Sequence, residues 1–264
     1  MFKKKYIFIL LVFIAIACSV VPFSNRKRFN IVPDDMMLSM SFTNYSQFLS
    51  QNPPLPASNS NAKMVKDIGN KLASAVSNYM SQKGMSSEIK DFKWEFNLVS
   101  NNEVNAWCMP GGKVVVYTGI LPLTKDADGL AVVMGHEIAH AVAKHGSERM
   151  SQQLLVELGG MTLSAAMEKK PETTKSIFLT AYGVGSTLGI LAYSREHEYE
   201  ADKLGLFFMA MAGYDPNKAI SFWERMSQQG NSGGFEFLKT HPSDANRIAE
   251  MRKIMPEAMK YYKK

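Results

Sequence analysis

His136-Glu137-Ile138-Ala139-His140 sits inside a stretch built to be a buried helix, and its reading decides the fold. Asp126 and Asp128 precede an apolar run from Leu130 to Met134, and good helix formers continue to Lys144. The spacing predicts a helix that starts near Asp126 and carries the pentapeptide in its middle. One turn apart, His136 and His140 project from one face, where both imidazoles can reach a single metal ion. Glu137, beside the first of them, is placed to take a proton from a metal-activated water.

A zinc hydrolase usually supplies three protein ligands and leaves the fourth position for water or substrate. Downstream, Ser194-Arg195-Glu196-His197-Glu198-Tyr199-Glu200-Ala201-Asp202 reads as a polar helix start after an apolar segment. Glu198 and Asp202 lie one turn apart and share a face, while Glu196 and Glu200 form a second such pair, rotated away. The chemistry needs one carboxylate on the metal and a partner that orients a ligand imidazole. Spacing alone does not choose between the two pairs.

HEIAHAVAKHGSERM, followed 58 positions after His140 by EYEADKLG, resembles the HtpX/BepA-type zinc metallopeptidases. These are gluzincins related to the Oma-type mitochondrial proteases and the CAAX prenyl endopeptidases. Asn105-Ala106-Trp107-Cys108-Met109-Pro110-Gly111-Gly112 is similar to that family's NAxxxPGG strand, and His241-Pro242-Ser243-Asp244-Ala245-Asn246-Arg247 to its HPxxxxR segment. Four motifs thus stand in the family's order over about residues 60 to 255. The resemblance implies one Zn2+ per chain, held by His136, His140 and Glu198, with Asp202 orienting a ligand histidine and Glu137 as catalytic base. It implies an α+β, mostly helical gluzincin metallopeptidase fold, whose small three-stranded sheet borders the zinc cleft with its edge strand. Asn105, Ala106 and Trp107 would be the part of that strand to which substrate adds through backbone hydrogen bonds. His241 is expected beside the zinc, supported by Arg247, either donating to the transition-state oxygen or capping the metal in a resting enzyme. The plainer alternative is a helix-entry loop with Ser243 as N-cap. His145 and His197 read as structural, the first lying off the face that His136 and His140 share.

The N-terminus opens with Lys3, Lys4 and Lys5 and an uncharged run from Tyr6 to Ala17, followed by Cys18. That pattern predicts a signal segment over residues 1–17, too short for a membrane span. Ala15-Ile16-Ala17-Cys18 resembles a bacterial lipobox, with Cys18 as the acylated residue; the alternatives are an ordinary cleaved signal with an incidental Cys or an uncleaved anchor. The expectations are therefore a signal over 1–17, a lipid-anchored tether with a helix over 18–60, and a metallopeptidase domain over 61–264. The expected place is a bacterial cell envelope, periplasm-facing and at the outer rather than the inner membrane. Losing three lysines lowers the formal charge from +6 to +3. The remaining basic residues are dispersed, so nucleic acid is not an expected partner, and the sequence assigns no oligomeric state. Cys108 has no accompanying Cys–His pattern and reads as packing.

Along the rest of the chain, a helix is expected near Pro33 to Ser50, a linker over Gln51 to Ala62, and a long amphipathic helix ended by Gly84. Its apolar side is Val65, Ile68, Leu72, Ala75, Val76 and Tyr79. Phe92 to Leu98 alternates as a half-buried strand, and Val104 to Cys108 and Lys113 to Tyr117 make two more around Pro110-Gly111-Gly112. Ser176 to Tyr193 carries no charge and reads as a buried helix. The expected activity is zinc-dependent endopeptidase cleavage of extended segments in unfolded or misassembled envelope proteins. The alternative is an envelope chaperone or assembly factor with a mostly capped zinc site.

Overall fold

Side-chain alternation along three short strands organises the interior. The computed structural model of the chain describes residues 18–21, 26–159, 161–184, 193–230, 236–242 and 245–263. The expected signal segment, residues 1–17, lies outside them. β1 (Cys18–Val20) pairs antiparallel with β2 (Lys27–Phe29). Helix α1 (Asp34–Gln51) follows, then α2 (Ser60–Gln82), β3 (Glu95–Val99), β4 (Ala106–Met109) and β5 (Lys113–Tyr117). The central strand β5 runs parallel to β3 and antiparallel to β4, so β4 is an edge strand, as expected.

The strand over Phe92 to Leu98 was expected half-buried; it begins at Glu95 and is buried on both faces. Phe96, Leu98, Ala106, Cys108, Val114 and Val116 point to one side of the sheet, into a core shared with α2. Val99, Trp107, Met109, Val115 and Tyr117 point to the other, where they meet Met37, Met40 and Tyr45 of α1. Period-2 alternation sends successive side chains to opposite faces, and here both faces are covered. Asn97, the polar residue that suggested a wet face, is buried yet satisfied, donating to Tyr45 Oη at 2.8 Å and Glu95 Oε1 at 3.0 Å. Gly111 and Gly112, both at φ 79°, carry the turn between β4 and β5. Helix α2 buries every residue predicted for its apolar side, and Gly84 follows it at φ 69°.

The remaining described elements are helices: α3 (Leu121–Thr124), α4 (Ala127–Val142), α5 (His145–Glu157), α6 (Leu163–Lys169), α7 (Pro171–Ala181), α8 (Arg195–Met211), α9 (Lys218–Gly230), α10 (Glu236–Thr240) and α11 (Ala245–Ala258). Asp126 caps α4 by accepting from the Gly129 amide at 2.8 Å. The expected continuation to Lys144 is broken, because Lys144 adopts the left-handed region at φ 59° and starts a new helix. The single helix expected over Ser176 to Tyr193 also ends early, at Ala181, with Gly183 at φ 66°; residues 185–192 lie outside those described. Among the described residues no helix is long and apolar enough to cross a membrane.

Two glycines bring α4 and α8 together. A Cβ built on Gly205 would stand 3.0 Å from His136 N and 3.1 Å from Gly135 C, and one on Gly135 would stand 3.1 Å from Gly205 O. Backbone therefore touches backbone at the crossing, one residue from the first motif histidine.

Candidate metal centre

The crossing aims both motifs at one point. His136 Nε2 and His140 Nε2 are 3.0 Å apart, and Glu198 Oε1 lies 3.3 Å from His140 Nε2. Glu198 Oε2 is 3.4 Å from His136 Nε2. His241, following α10, puts its Nδ1 3.2 Å from His136 Nε2 and 3.0 Å from Glu198 Oε1. Donors about 2.05 Å from a tetrahedral zinc would stand roughly 3.3 Å from one another. The cluster of His136, His140, Glu198 and His241 is therefore spaced to hold a zinc ion, with one donor atom from each residue. The donor types, imidazole and carboxylate, suit zinc as well.

Each group is held from behind. His136 Nδ1 lies 3.0 Å from Asp202 Oδ1, the orienting contact expected of Asp202. Arg247 clamps Asp202 with contacts of 2.8 and 2.6 Å, reaches Glu198 Oε2 at 2.6 Å, and donates to the Pro242 carbonyl at 3.0 Å. Its guanidinium also stacks 4.0 Å above the Trp223 ring. Arg247 thus steadies the His241 loop through Pro242 and the ligand set through two carboxylates. Ser243 and Asp244 lie outside the described residues.

Burial shapes the charges. It drives His140 well below the usual imidazole range, whereas at His136 the Asp202 and Glu198 carboxylates outweigh burial and raise the imidazole to about 9. Burial alone would raise Glu198, but Arg247 and then His241 outweigh it and hold the carboxylate well below its ordinary range. Glu137 is raised, chiefly by burial against the opposing pull of His241 and His136. Its Oε1 lies 3.4 Å from His241 Nε2 and has no hydrogen-bond partner among the described residues. An orphaned carboxylate oxygen beside a metal cluster is a group waiting for a proton donor.

His145 and His197, expected to be structural, stand outside the four-residue cluster and pack against it. The expectation for His145 rested on one continuous helix, whereas the left-handed Lys144 turns it back over the site. His145 Nδ1 lies 2.8 Å from His140 Nδ1, and its Nε2 lies 2.9 Å from Glu200 Oε2. His197 stacks on His145 with centroids 4.4 Å apart and contacts Glu148 Oε2 at 3.0 Å. Glu196 is exposed, but Glu200 is buried, so the second acidic pair divides between surface and site. Spacing left Glu200 open as half of the second acidic pair, and no spacing signal marked Glu148 in the sequence.

Asn105, Ala106 and Trp107 lie at the start of edge strand β4, each at most 2% exposed. Asn105 Oδ1 accepts from the Ala106 amide at 2.9 Å, and the Phe237 amide donates to the Val104 carbonyl at 3.2 Å. With Phe237 docked there and His241 against the cluster, the four clustered residues are only 1–3% exposed and the site is closed. Cys108 is buried in β4 with its thiol pushed well above the ordinary range by burial, which fits packing rather than nucleophilic chemistry. The backbone of Cys18 pairs with that of Phe29 in the β1–β2 ribbon.

The family described as Peptidase family M48 matches residues 63–255. Mitochondrial metalloendopeptidase OMA1 of Schizosaccharomyces pombe is 37% identical over 242 residues, 90% of this chain and 66% of that protein. Its namesake in Saccharomyces cerevisiae is 33% identical over 91% of this chain and 70% of its own length. The Beta-barrel assembly-enhancing protease of Escherichia coli is 30% identical over 60% of this chain and 34% of its own length. The chain thus spans about two thirds of the yeast relatives and a third of the bacterial one. The expected placement in a bacterial envelope is overturned, since mitochondrial proteins of yeasts, a plant and animals match at up to 37% identity. A four-residue lipobox-like pattern carried that expectation, and it does not outweigh similarity over nine tenths of the chain.

Proposed function

We propose a function from one premise: the chain belongs to peptidase family M48 and carries that family's zinc metalloendopeptidase domain. In this reading the protein cuts extended segments of unfolded or misassembled polypeptides. The convergence of His136, His140 and Glu198 beside Glu137 carries it. Zinc, when bound, lowers the pKa of a water toward neutrality and polarises a scissile carbonyl. Glu137, its carboxyl raised by burial, takes the water proton and later delivers it to the leaving amine. Asp202 and Arg247 fix the imidazole and carboxylate orientations during that exchange. The outer edge of β4 is where an extended peptide pairs through backbone hydrogen bonds, which selects for unfolded substrate over any particular side chain; the Asn105 carbonyl is already taken by the Tyr117 amide.

The closed geometry supports His241 as a cap on the fourth ligand position at rest. The imidazole lies at ligand spacing and is itself buried, and the Phe237 amide docks on the Val104 carbonyl just before the edge strand. Catalysis then requires that segment to move away, after which His241 Nε2, near Glu137, can act as a donor to the developing oxyanion. The same burial favours a second reading, an assembly factor that binds polypeptides with its zinc site mostly capped. Mitochondrial is the compartment that the yeast, plant and animal similarities support. Digestion of casein by the purified full chain, with and without a chelator, tests the function. Chelator-sensitive cleavage is expected; binding of unfolded protein without cleavage would favour the second reading.

A further inference from the structure

One metal-side imidazole is held by a residue type the motif does not advertise. His136 sets its second nitrogen, Nδ1, directly against a carboxylate oxygen, Asp202 Oδ1, at 3.0 Å. His140 instead meets another imidazole, His145, at 2.8 Å, and only beyond it a carboxylate, Glu200, at 2.9 Å from His145. Arg26, from the segment before β2, approaches the same Glu200 oxygen with its Nε at 3.2 Å and donates both Nη groups to Glu148 at 3.0 and 2.9 Å.

Proton placement in this chain has one consistent direction. A carboxylate only accepts, so His145 must present its N–H to Glu200 from Nε2. A neutral His145 then has a bare Nδ1, which accepts from His140 Nδ1–H. With its proton on Nδ1, His140 has its lone pair on Nε2, facing His136, Glu198 and His241. The path exists because Lys144 at φ 59° breaks the helix and swings His145 over His140.

We propose that His145, Glu200 and Arg26 are positioning residues for His140, fixing its tautomer and ring orientation so that Nε2 is held ready for the metal. His145 and Glu200 together do for His140 what Asp202 does alone for His136. Arg26 makes the segment before β2 part of the metal centre, because its cation compensates the buried Glu200 and Glu148 carboxylates. This inference rests on the reading of His140 as a metal ligand.

The test is zinc release from the zinc-loaded full chain into excess chelator, followed with a metallochromic dye, beside thermal melting of each variant. His145→Phe keeps a ring but removes both nitrogens and should release zinc about ten- to a hundredfold faster, the usual effect of losing such a partner. Glu200→Gln and Arg26→Gln should each accelerate release by a smaller factor, about three- to tenfold. The double variant His145→Phe/Glu200→Gln should release no faster than His145→Phe, because the chain is already cut. His145→Asn, whose amide oxygen can accept from His140, should recover much of the loss. Wild-type release from a folded His145→Phe would overturn the proposal; if that variant does not fold, wild-type release from both Glu200→Gln and Arg26→Gln would do so. His140→Ala separates the two levels. If it keeps zinc as tightly as wild type, the metal-site reading itself fails; if it loses zinc while the positioning variants behave as wild type, only the positioning role fails.

Discussion

Gly205, the last residue of the EYEADKLG motif, tests how the fold builds the site. A Cβ there would meet three backbone atoms, His136 N at 3.0 Å, Gly135 C at 3.1 Å and His136 Cα at 3.2 Å. Ordinary carbon contacts start near 3.5 Å, and none of these atoms can rotate away, so α8 must retreat by a few tenths of an ångström. Overpacking of this kind costs about 2 kcal/mol. For a chain of this size that lowers the melting temperature of Gly205→Ala by about 4–8 °C. Glu198 rides on α8 two turns before Gly205, so the retreat also draws it away from His136 and His140. Ligand sets tolerate only about 0.5 Å, and zinc release should quicken by about tenfold. Calorimetry and chelator-driven zinc release on the same sample measure both effects. Gly84→Ala is the control: it meets no atom within 4 Å and carries only the strain of φ 69°, so it should lower stability by about 1 kcal/mol and leave zinc release unchanged. A Gly205→Ala protein that melts and releases zinc as wild type does would refute the crossing as the element that positions the ligands.

Glu198→Ala should abolish stoichiometric zinc binding, whereas Glu196→Ala, on the exposed face, should keep it; metal analysis after gel filtration distinguishes them. His241→Ala should raise proteolysis by about tenfold if the cap is favoured by about 1.4 kcal/mol, and a fall of about a hundredfold in turnover would instead make the donor role dominant. Glu148 is held down at about 2, because His197 and Arg26 together outweigh the upward push of burial. A carboxylate whose folded value is depressed contributes stability that is present above about 4.5 and lost as pH falls toward 2. Allowing for screening, that contribution is about 1–2 kcal/mol, and Glu148→Gln should flatten the acid limb of stability over this window, as read by urea melts from pH 5 to pH 2.5.

The helix from Asp126, the amphipathic stripe of α2 and the turn at Gly111 and Gly112 were legible because each rests on local rules of periodicity, capping and backbone freedom. The convergence of His136, His140 and Glu198 was legible through motif spacing and family resemblance together. The contact of His145 with His140 was not legible because a face argument assumes an unbroken helix, and a left-handed lysine gives no warning in the sequence. Glu200 was left open because only tertiary packing decides which acidic face turns inward. Burial of the Glu95–Val99 strand on both faces escaped for a related reason: Asn97 looks solvent-facing until Tyr45, 52 residues away, is there to receive its hydrogen bond. The envelope placement failed differently, since a pattern of four residues was set against the character of the whole chain.

In the proposed function, zinc held by His136, His140 and Glu198 serves a hydrolysis in which Glu137 is the base. Zinc content and peptide cleavage measured together on Glu137→Gln test it most directly. The substitution keeps size and the ligand set, so one zinc per chain should remain while turnover falls by about a hundredfold or more. A Glu137→Gln protein that keeps its zinc and cleaves at the wild-type rate would contradict the account.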